Sequence, residues 1–105
     1  NKLNAGHNGN WNTVVGTTTL SLNTWYCGAV TFSSTNGWKL YLNGVLEDTD
    51  SDITTFSGTG RLQIARFDNG NNFSGKIAIS QIYDRVLTEY EILQNYNATK
   101  SRFGL

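Results

Sequence analysis

The sequence predicts an all-β fold: an antiparallel β-sandwich with one short C-terminal helix at about residues 88–97. Three features of the chain indicate this. Thr, Val, Tyr, Phe and Trp, which favour strands, recur in short runs. Turns rich in Asn, Gly and Ser separate these runs. Near the end of the chain the apolar spacing changes from the period of a strand to that of a helix.

The chain has 105 residues, which fits one domain. Residues 1–10 are polar and contain clusters of Asn and Gly, so they are interpreted as a leader or loop before a single domain over residues 11–105. A further short strand can form at residues 53–56, and Ile82 breaks the alternation of the last strand, which predicts either a bulge or burial on both faces there. The main strands are predicted at residues 11–15, 18–22, 25–32, 38–42, 61–65 and 75–83.

The sharpest local signal is a hairpin turn at Asn43-Gly44. A type I′ turn needs positive φ at both central positions, and these two residue types tolerate it best. The strand before the turn alternates: Trp38, Leu40 and Leu42 point to one face, and Lys39 and Tyr41 point to the other.

A capping box marks the start of the helix. Thr88 is the expected N-cap, and Glu91 follows three residues later. Leu87 and Ile92 are placed as a hydrophobic staple, and Ile92, Leu93 and Tyr96 form an apolar stripe at helical spacing. A helix this short needs to pack on the sheets to persist.

Charge and cysteine content exclude several classes of protein. Eight basic and eight acidic residues give a net charge of zero without a basic stripe, so no nucleic-acid partner is expected. No apolar run approaches the ~20 residues of a membrane span, so no membrane insertion is expected. The single Cys27 excludes an internal disulfide and a cysteine-based zinc site, and its apolar surroundings predict an inert buried thiol.

The order of the motifs resembles the C-terminal half of laminin-G-like domains of the concanavalin A-like lectin/glucanase superfamily. The resemblance covers about residues 11–105. It rests on LYLNG at residues 40–44, FSGKI at 73–77 and IYDRVLTEYEI at 82–92. Residues 95–105 resemble the terminus of such domains in structural proteins of bacteriophages and large aquatic viruses, and bacterial surface proteins carry similar endings. The resemblance implies a jelly-roll sandwich.

A complete domain of that family is roughly twice as long as this chain. The resemblance therefore implies that the sandwich is incomplete on its N-terminal side, with the missing strands lying upstream or supplied by another subunit. A half sandwich alone exposes an apolar face and open strand edges.

Catalysis is not expected. The glucanases of the superfamily carry an E-x-D-x-x-E pattern on one strand, and this pattern is absent here. The acidic run at residues 47–52 has a different spacing and is expected to be a solvated loop. His7, the single His, lies in the polar leader and is expected to be exposed or at an interface rather than a general base.

A calcium ion is the only cofactor that the sequence leaves open. The acidic run matches the start of an EF-hand loop, but Ile53 stands where that loop needs Gly and Thr59 where it needs Glu. The resemblance implies a different place for calcium, at the rim of the sandwich. Candidate ligands there, with a plain turn as the alternative, are Asp68, Asn69 and Asn71.

Sugar binding needs an aromatic platform and planar amides. Trp25 and Trp38 lie on predicted strands and are expected to be core residues, whereas Tyr41, on the face opposite Leu40, is expected to be exposed. The candidate sugar-binding residues are Tyr41, Trp11, Asn36 and Asn69.

Together these features predict a non-enzymatic binding or structural module displayed on a virion or on the cell surface. The favoured version is a virion structural or decoration protein whose partners are other copies or neighbouring structural subunits. A carbohydrate-binding adhesin that recognises cell-surface glycan is the first alternative, and an ancillary module of a glycoside hydrolase is the second. The fold analogy supports all three and selects none.

Overall fold

The chain folds into three small antiparallel sheets followed by one helix. The structure is a computed structural model that describes residues 1–55, 58–59, 62–67 and 70–105. Strands β1 and β2 form a hairpin, β3, β4 and β5 form a sheet in that order, and β6 pairs with β7. The strands span β1 Asn4–His7, β2 Asn10–Val15, β3 Gly28–Ser33, β4 Gly37–Leu42, β5 Val45–Asp50, β6 Arg66–Phe67 and β7 Asn71–Asn72. The predicted class, antiparallel β-structure with one C-terminal helix, is confirmed.

The N-terminal residues form a strand, so the prediction that residues 1–10 are loop is wrong. Strand β1 pairs with β2, with Ala5 opposite Val14 and His7 opposite Asn10. The turn between them contains Gly9 at φ 102°, a conformation that favours glycine. The polar residues of β1 form a strand because the backbone of β2 pairs with them. Composition alone does not reveal this pairing.

Strand β4 is the centre of the fold. It pairs with β3 along one edge and with β5 along the other. Leu40 is 2 % exposed, and Val14 of the hairpin, which packs with Leu40 and Trp38, is 0 % exposed. Leu3, Ala5 and Phe32 pack around this cluster. The N-terminal hairpin therefore covers one face of β4.

The opposite face of β4 is covered as well, and the prediction that Tyr41 is exposed is wrong. Tyr41 is 1 % exposed. Lys39, on the same face, donates from Nζ to Glu89 Oε1 at 3.2 Å, which brings the first turn of the C-terminal helix over this side. Residues on both faces of β4 are therefore buried, although alternation places Tyr41 opposite Leu40.

The predicted Asn43-Gly44 hairpin is confirmed. Asn43 has φ 51° and Gly44 has φ 79°, and Leu42 pairs with Val45 directly across the turn. The Asn43 side chain also accepts a hydrogen bond from the Cys27 backbone N–H at 2.9 Å, which ties the turn to the start of β3. Beyond the turn, β5 continues to Asp50, so the acidic run begins on a strand and not in the predicted loop.

Several predicted strands do not form. Residues 18–22 and 75–83 have no regular structure, and the strand predicted at 25–32 starts only at Gly28. Residues 53–55 and 62–65 also lack strand structure, while Phe56 and Arg61 lie outside the described residues. A segment with alternating apolar residues forms a strand only when another strand pairs with it. Within the described part of the chain, no strand pairs with these segments. The bulge predicted at Ile82 therefore has no ladder to interrupt.

The C-terminal helix α1 spans Glu89–Thr99, two residues beyond the predicted end, and continues as a 3₁₀ turn over Lys100–Phe103. Thr88 Oγ1 accepts the Glu91 N–H at 3.2 Å, which confirms the predicted N-cap. Ile92 is the buried residue of α1, whereas Leu93 remains 40 % exposed. Among the described residues, no helix has the length and apolar character needed to cross a membrane.

Gly44 tests the contact between α1 and the β4–β5 turn. A Cβ at this position would lie 3.0 Å from Leu93 Cδ1 and 3.1 Å from Tyr96 Cδ1, whereas a Cβ at Gly104 would meet nothing within 4 Å. Both glycines have similar positive φ, 79° and 70°. We expect Gly104→Ala to lower the free energy of unfolding by about 1 kcal/mol through backbone strain alone. Gly44→Ala should cost about 1–3 kcal/mol more, because the helix must move.

Urea unfolding of the two variants, followed by circular dichroism, measures this difference. Equal losses in both variants would contradict the close packing of α1 on the turn.

Candidate functional site

The acidic residues of β5 hold the segment that follows the N-terminal hairpin. Asp48 Oδ2 accepts the Val15 backbone N–H at 2.8 Å. Glu47 Oε2 accepts the Thr18 N–H at 3.1 Å, and its other oxygen accepts the Thr18 hydroxyl. These bonds lower the pKa of Glu47, the Thr18 hydroxyl contributing most. Both carboxylates are thus acceptors for groups from residues 15–18.

The same pattern continues past the end of β5. Asp50 Oδ1 accepts the Asp52 N–H at 2.7 Å, and Asp52 Oδ1 accepts the Thr54 N–H at 2.8 Å. Side-chain to backbone bonds of this kind shape turns. The run that the sequence places in a solvated loop is therefore a row of acceptors that shapes the backbone and joins β5 to the N-terminal segment.

His7 and Asp52 form an ion pair next to the core. His7 Nε2 lies 2.8 Å from Asp52 Oδ2, and the His7 ring stacks on Trp38, with 6.2 Å between ring centroids. The His7 side chain is only 11 % exposed, so it faces the protein rather than solvent. Sequence reasoning missed this pair because 45 residues separate the partners.

The two groups of the pair shift each other's titration. The pKa of His7 is raised, first by its hydrogen bond to Asp52 and then by the Asn8 carbonyl, which lies 2.9 Å from Nδ1. The pKa of Asp52 is lowered to about 2, mainly by Thr54 and then by His7. Both imidazole nitrogens thus face acceptors, which suits a protonated ring that donates from each. A protonated ring of this kind holds the N-terminal hairpin to Asp52, and it has no free nitrogen lone pair with which to act as a general base.

The predicted sugar-binding residues are only partly suited to that role. Tyr41 is buried and cannot stack on a ligand in this fold. Trp11 is 54 % exposed on β2, and Asn36 is exposed in the turn between β3 and β4, so the two belong to different sheets. Asn69 lies outside the described residues.

The structure describes only one of the three predicted calcium ligands, Asn71. Asn71 is exposed on β7, where its backbone pairs with Phe67. Asp68 and Asn69 lie outside the described residues. Among the residues that are described, no group of three or more His, Cys, Asp or Glu side chains could hold a metal ion. The calcium prediction stays a prediction.

A large apolar surface remains exposed on the C-terminal half of the chain. Ile77 is 49 % exposed and Ile79 44 %, although both carry the alternation of a buried strand. Trp25 is also partly exposed and contacts Phe103, with ring centroids 5.1 Å apart. Further exposed apolar residues in this half are Leu62, Ile64, Phe73, Ile82, Tyr83, Val86 and Tyr90.

One family model matches the chain, that of the concanavalin A-like lectin/glucanases superfamily, over residues 1–93. The chain belongs to this superfamily. No curated protein and no solved structure matches it.

Membership of the superfamily confirms the resemblance and implies a jelly-roll sandwich. The match starts at residue 1, so it includes the segment that the sequence separates as a leader. It ends at residue 93, before the tail on which the likeness to viral proteins rests. The superfamily contains both lectins and glucanases, so the role of this member depends on its own residues.

Cys27 is half-buried rather than fully buried. Desolvation raises the pKa of its thiol, which favours the neutral and less nucleophilic form. This agrees with a structural role for the side chain at the start of β3.

The His7–Asp52 pair predicts how stability depends on pH. Because the pKa of His7 is raised above 6.5, its contribution is complete below that value and is lost as pH rises through the folded pKa. Because the pKa of Asp52 falls from 3.8 to about 2, its contribution is complete above 3.8 and is lost as pH falls toward 2. The stabilisation by this pair is therefore greatest between those limits.

The urea midpoint of unfolding, measured across this pH range, checks the prediction. His7→Gln should flatten mainly the alkaline side of the profile, whereas Asp52→Asn should flatten both sides, because the lowered pKa of Asp52 is due mainly to Thr54. Profiles that stay parallel to that of the unchanged chain at every pH would show that the pair contributes nothing.

Proposed function

We propose that this chain is a non-enzymatic binding and structural module displayed on the outside of a virion or a cell. In its favoured form it is a structural or decoration protein of a virus particle, and its partners are other copies or neighbouring structural subunits. A rigid sheet presents loops outward, and loops carry recognition.

The hydrogen bonds of the acidic run support the non-enzymatic part of the proposal. A retaining glycosidase needs two carboxylates about 5–5.5 Å apart and open to a substrate. Here Glu47 and Asp48 accept backbone N–H groups of Thr18 and Val15, and Asp52 binds His7. These carboxylates are already bonded to groups of the protein and stabilise the fold.

The exposed apolar surface supports the assembly part and is the observation that carries the proposal. Contiguous apolar surface on a protein marks sites of contact with other proteins. Ile77, Ile79 and Phe73 lie together along one segment at 44 % exposure or more. A neighbouring subunit in a particle would cover such a surface, as would the further strands of the sandwich that the resemblance places upstream.

Purified particles from the source test this proposal. The chain should be found by quantitative mass spectrometry in washed particles, at a copy number set by the particle's symmetry. Gold-labelled antibodies against the chain should decorate intact particles from outside. Recovery of the chain only in the soluble or cell-wall fraction, with no particle-bound copies, would refute the virion role.

Glycan binding is the second candidate, and the exposure of Trp11 favours it. The indole is 54 % exposed on β2. Across the hairpin stands Gly6, where a Cβ would lie 2.6 Å from the Trp11 carbonyl carbon.

A glycan array compares the unchanged chain with Trp11→Ala. If the chain is an adhesin, Trp11→Ala should weaken binding about tenfold, equivalent to roughly 1.4 kcal/mol. Trp11→Phe, which keeps an aromatic platform, should retain most of the binding. An array without hits for the unchanged chain, or equal binding by Trp11→Ala, excludes Trp11 as the sugar platform.

A further inference from the structure

Within the residues that the structure describes, three Asn-Gly pairs lie in turns, and an Asn-Gly pair can lose the side-chain amide of its asparagine. The three pairs begin at Asn8, Asn36 and Asn43. In each of them the backbone nitrogen of the glycine can attack the side-chain carbonyl of the asparagine, because glycine carries no Cβ to hinder the approach. The asparagine side chain must first turn back over this nitrogen, so the contacts of each turn decide whether the pair reacts.

The Asn43-Gly44 turn is held on both sides. Asn43 Oδ1 accepts the Cys27 backbone N–H at 2.9 Å, and the Asn43 backbone N–H donates to the Cys27 carbonyl at 2.7 Å. A Cβ at Gly44 would lie 3.0 Å from Leu93 Cδ1, so α1 packs against the nitrogen that would have to react. This pair cannot form the reactive geometry without breaking the contacts of the turn.

The glycine of the second pair is also held. Gly37 is buried and pairs with Ser33 of β3. A Cβ at Gly37 would lie 2.9 Å from Ser51 Cα, so the end of β5 packs against it. The Asn36 backbone N–H donates to Ser33 Oγ at 3.3 Å, which fixes the turn further. Although Asn36 itself is exposed, the glycine nitrogen beside it is enclosed.

The Asn8-Gly9 turn at the tip of the N-terminal hairpin has no contacts of this kind. A Cβ at Gly9 would meet nothing within 4 Å, so the Asn8 side chain has room to fold over the Gly9 nitrogen. Among the described residues, the Asn8 side-chain amide has no hydrogen-bond partner, because its contact with His7 is made through the backbone carbonyl. The side chain of this pair is therefore the one that can rotate without breaking a bond.

His7 acts on the peptide group that has to react. His7 Nδ1 lies 2.9 Å from the Asn8 carbonyl oxygen, which belongs to the same peptide group as the Gly9 nitrogen. When this nitrogen gives its proton to solvent, negative charge spreads onto the oxygen, and a protonated imidazole that donates to the oxygen stabilises the charge. Asp52 holds Nε2 at 2.8 Å, and the ring stacks on Trp38. These contacts fix the ring and do not depend on further strands of the sandwich.

We propose that Asn8 is a site of spontaneous deamidation and that His7 accelerates the reaction. The Gly9 nitrogen bonds to Asn8 Cγ, the bond from Cγ to Nδ2 breaks, and the amide nitrogen takes up a proton and leaves as ammonia. Water then adds to either carbonyl of the cyclic imide and opens it to aspartate or to isoaspartate. Overall an amide and water become a carboxylic acid and ammonia. This modification is independent of the proposed function.

Incubation of the 105-residue chain in water labelled with heavy oxygen, followed by peptide mapping with mass spectrometry, tests the proposal. Label should enter Asn8 as a mixture of aspartate and isoaspartate. Its conversion should be roughly tenfold faster than that of Asn36 or Asn43, equivalent to about 1.4 kcal/mol in the barrier. The two slower pairs serve as internal controls, because global unfolding would accelerate all three.

Two variants separate the chemical role of His7 from its role in holding the hairpin. His7→Gln should slow the conversion of Asn8 roughly tenfold, since the charged donor is lost. If His7 only held the hairpin in place, its removal would free the turn and accelerate the reaction. Asp52→Asn is the matched control: it removes the ion pair but at about pH 6 leaves the imidazole largely protonated. It should slow the conversion much less than His7→Gln does.

The pH profile gives a second readout. Asp52, from the segment after β5, and the Asn8 carbonyl raise the pKa of His7 above 6.5, and Trp38 of β4 adds no charge. The rate of the unchanged chain divided by that of His7→Gln should be largest below the folded pKa. The ratio should fall toward one as pH rises through that pKa and the ring loses its charge.

Three results would overturn the proposal. Asn8 could survive as long as Asn43, its conversion could be unchanged or faster in His7→Gln, or the ratio of the two rates could be the same at every pH. The first result removes the site, and the other two remove the role of His7.

Discussion

The burial of β4 on both faces is the constraint on which the rest of the structure depends. Leu40 and Trp38 meet the N-terminal hairpin on one side, and Tyr41 is enclosed on the other, where Lys39 binds Glu89 of α1. Full burial of one aliphatic side chain contributes roughly 1.5–3 kcal/mol. Burial of Leu40 and Trp38 therefore fixes where the N-terminal hairpin lies against β4.

Polar contacts between β5, the segment after it and the N-terminal hairpin add to the apolar packing around β4. The carboxylates of Glu47 and Asp48 hold residues 15–18, and Asp52 holds His7 against Trp38. These bonds fasten the hairpin to the sheet at several points along β5. The acidic residues that invite a catalytic or calcium interpretation in the sequence thus have a structural role, one that depends on contacts 29 to 45 residues apart.

Local signals in the sequence predicted local structure well. The Asn43-Gly44 turn and the Thr88 cap each depend on residues within a few positions, and both are confirmed. Tyr41 was misplaced because alternation assigns a side chain to one face of a strand but does not show what covers that face. Trp11 and Asn36, two of the candidate sugar-binding residues, are exposed, and their binding of sugar stays a prediction. The strand at residues 75–83 was predicted from its alternating apolar residues. Such a pattern shows that one face of the segment must be buried, but it does not identify the strand that would pair with it.

The fold therefore has a well-packed part around β4 and an exposed apolar part around residues 73–87. Amide hydrogen exchange measured residue by residue by NMR tests this division most directly. The backbone amides of β4, from Lys39 to Leu42, should exchange the most slowly, at the rate of global unfolding, while those of Ile77 to Ile79 should exchange orders of magnitude faster. Equal protection of the two segments in the isolated chain would contradict the account.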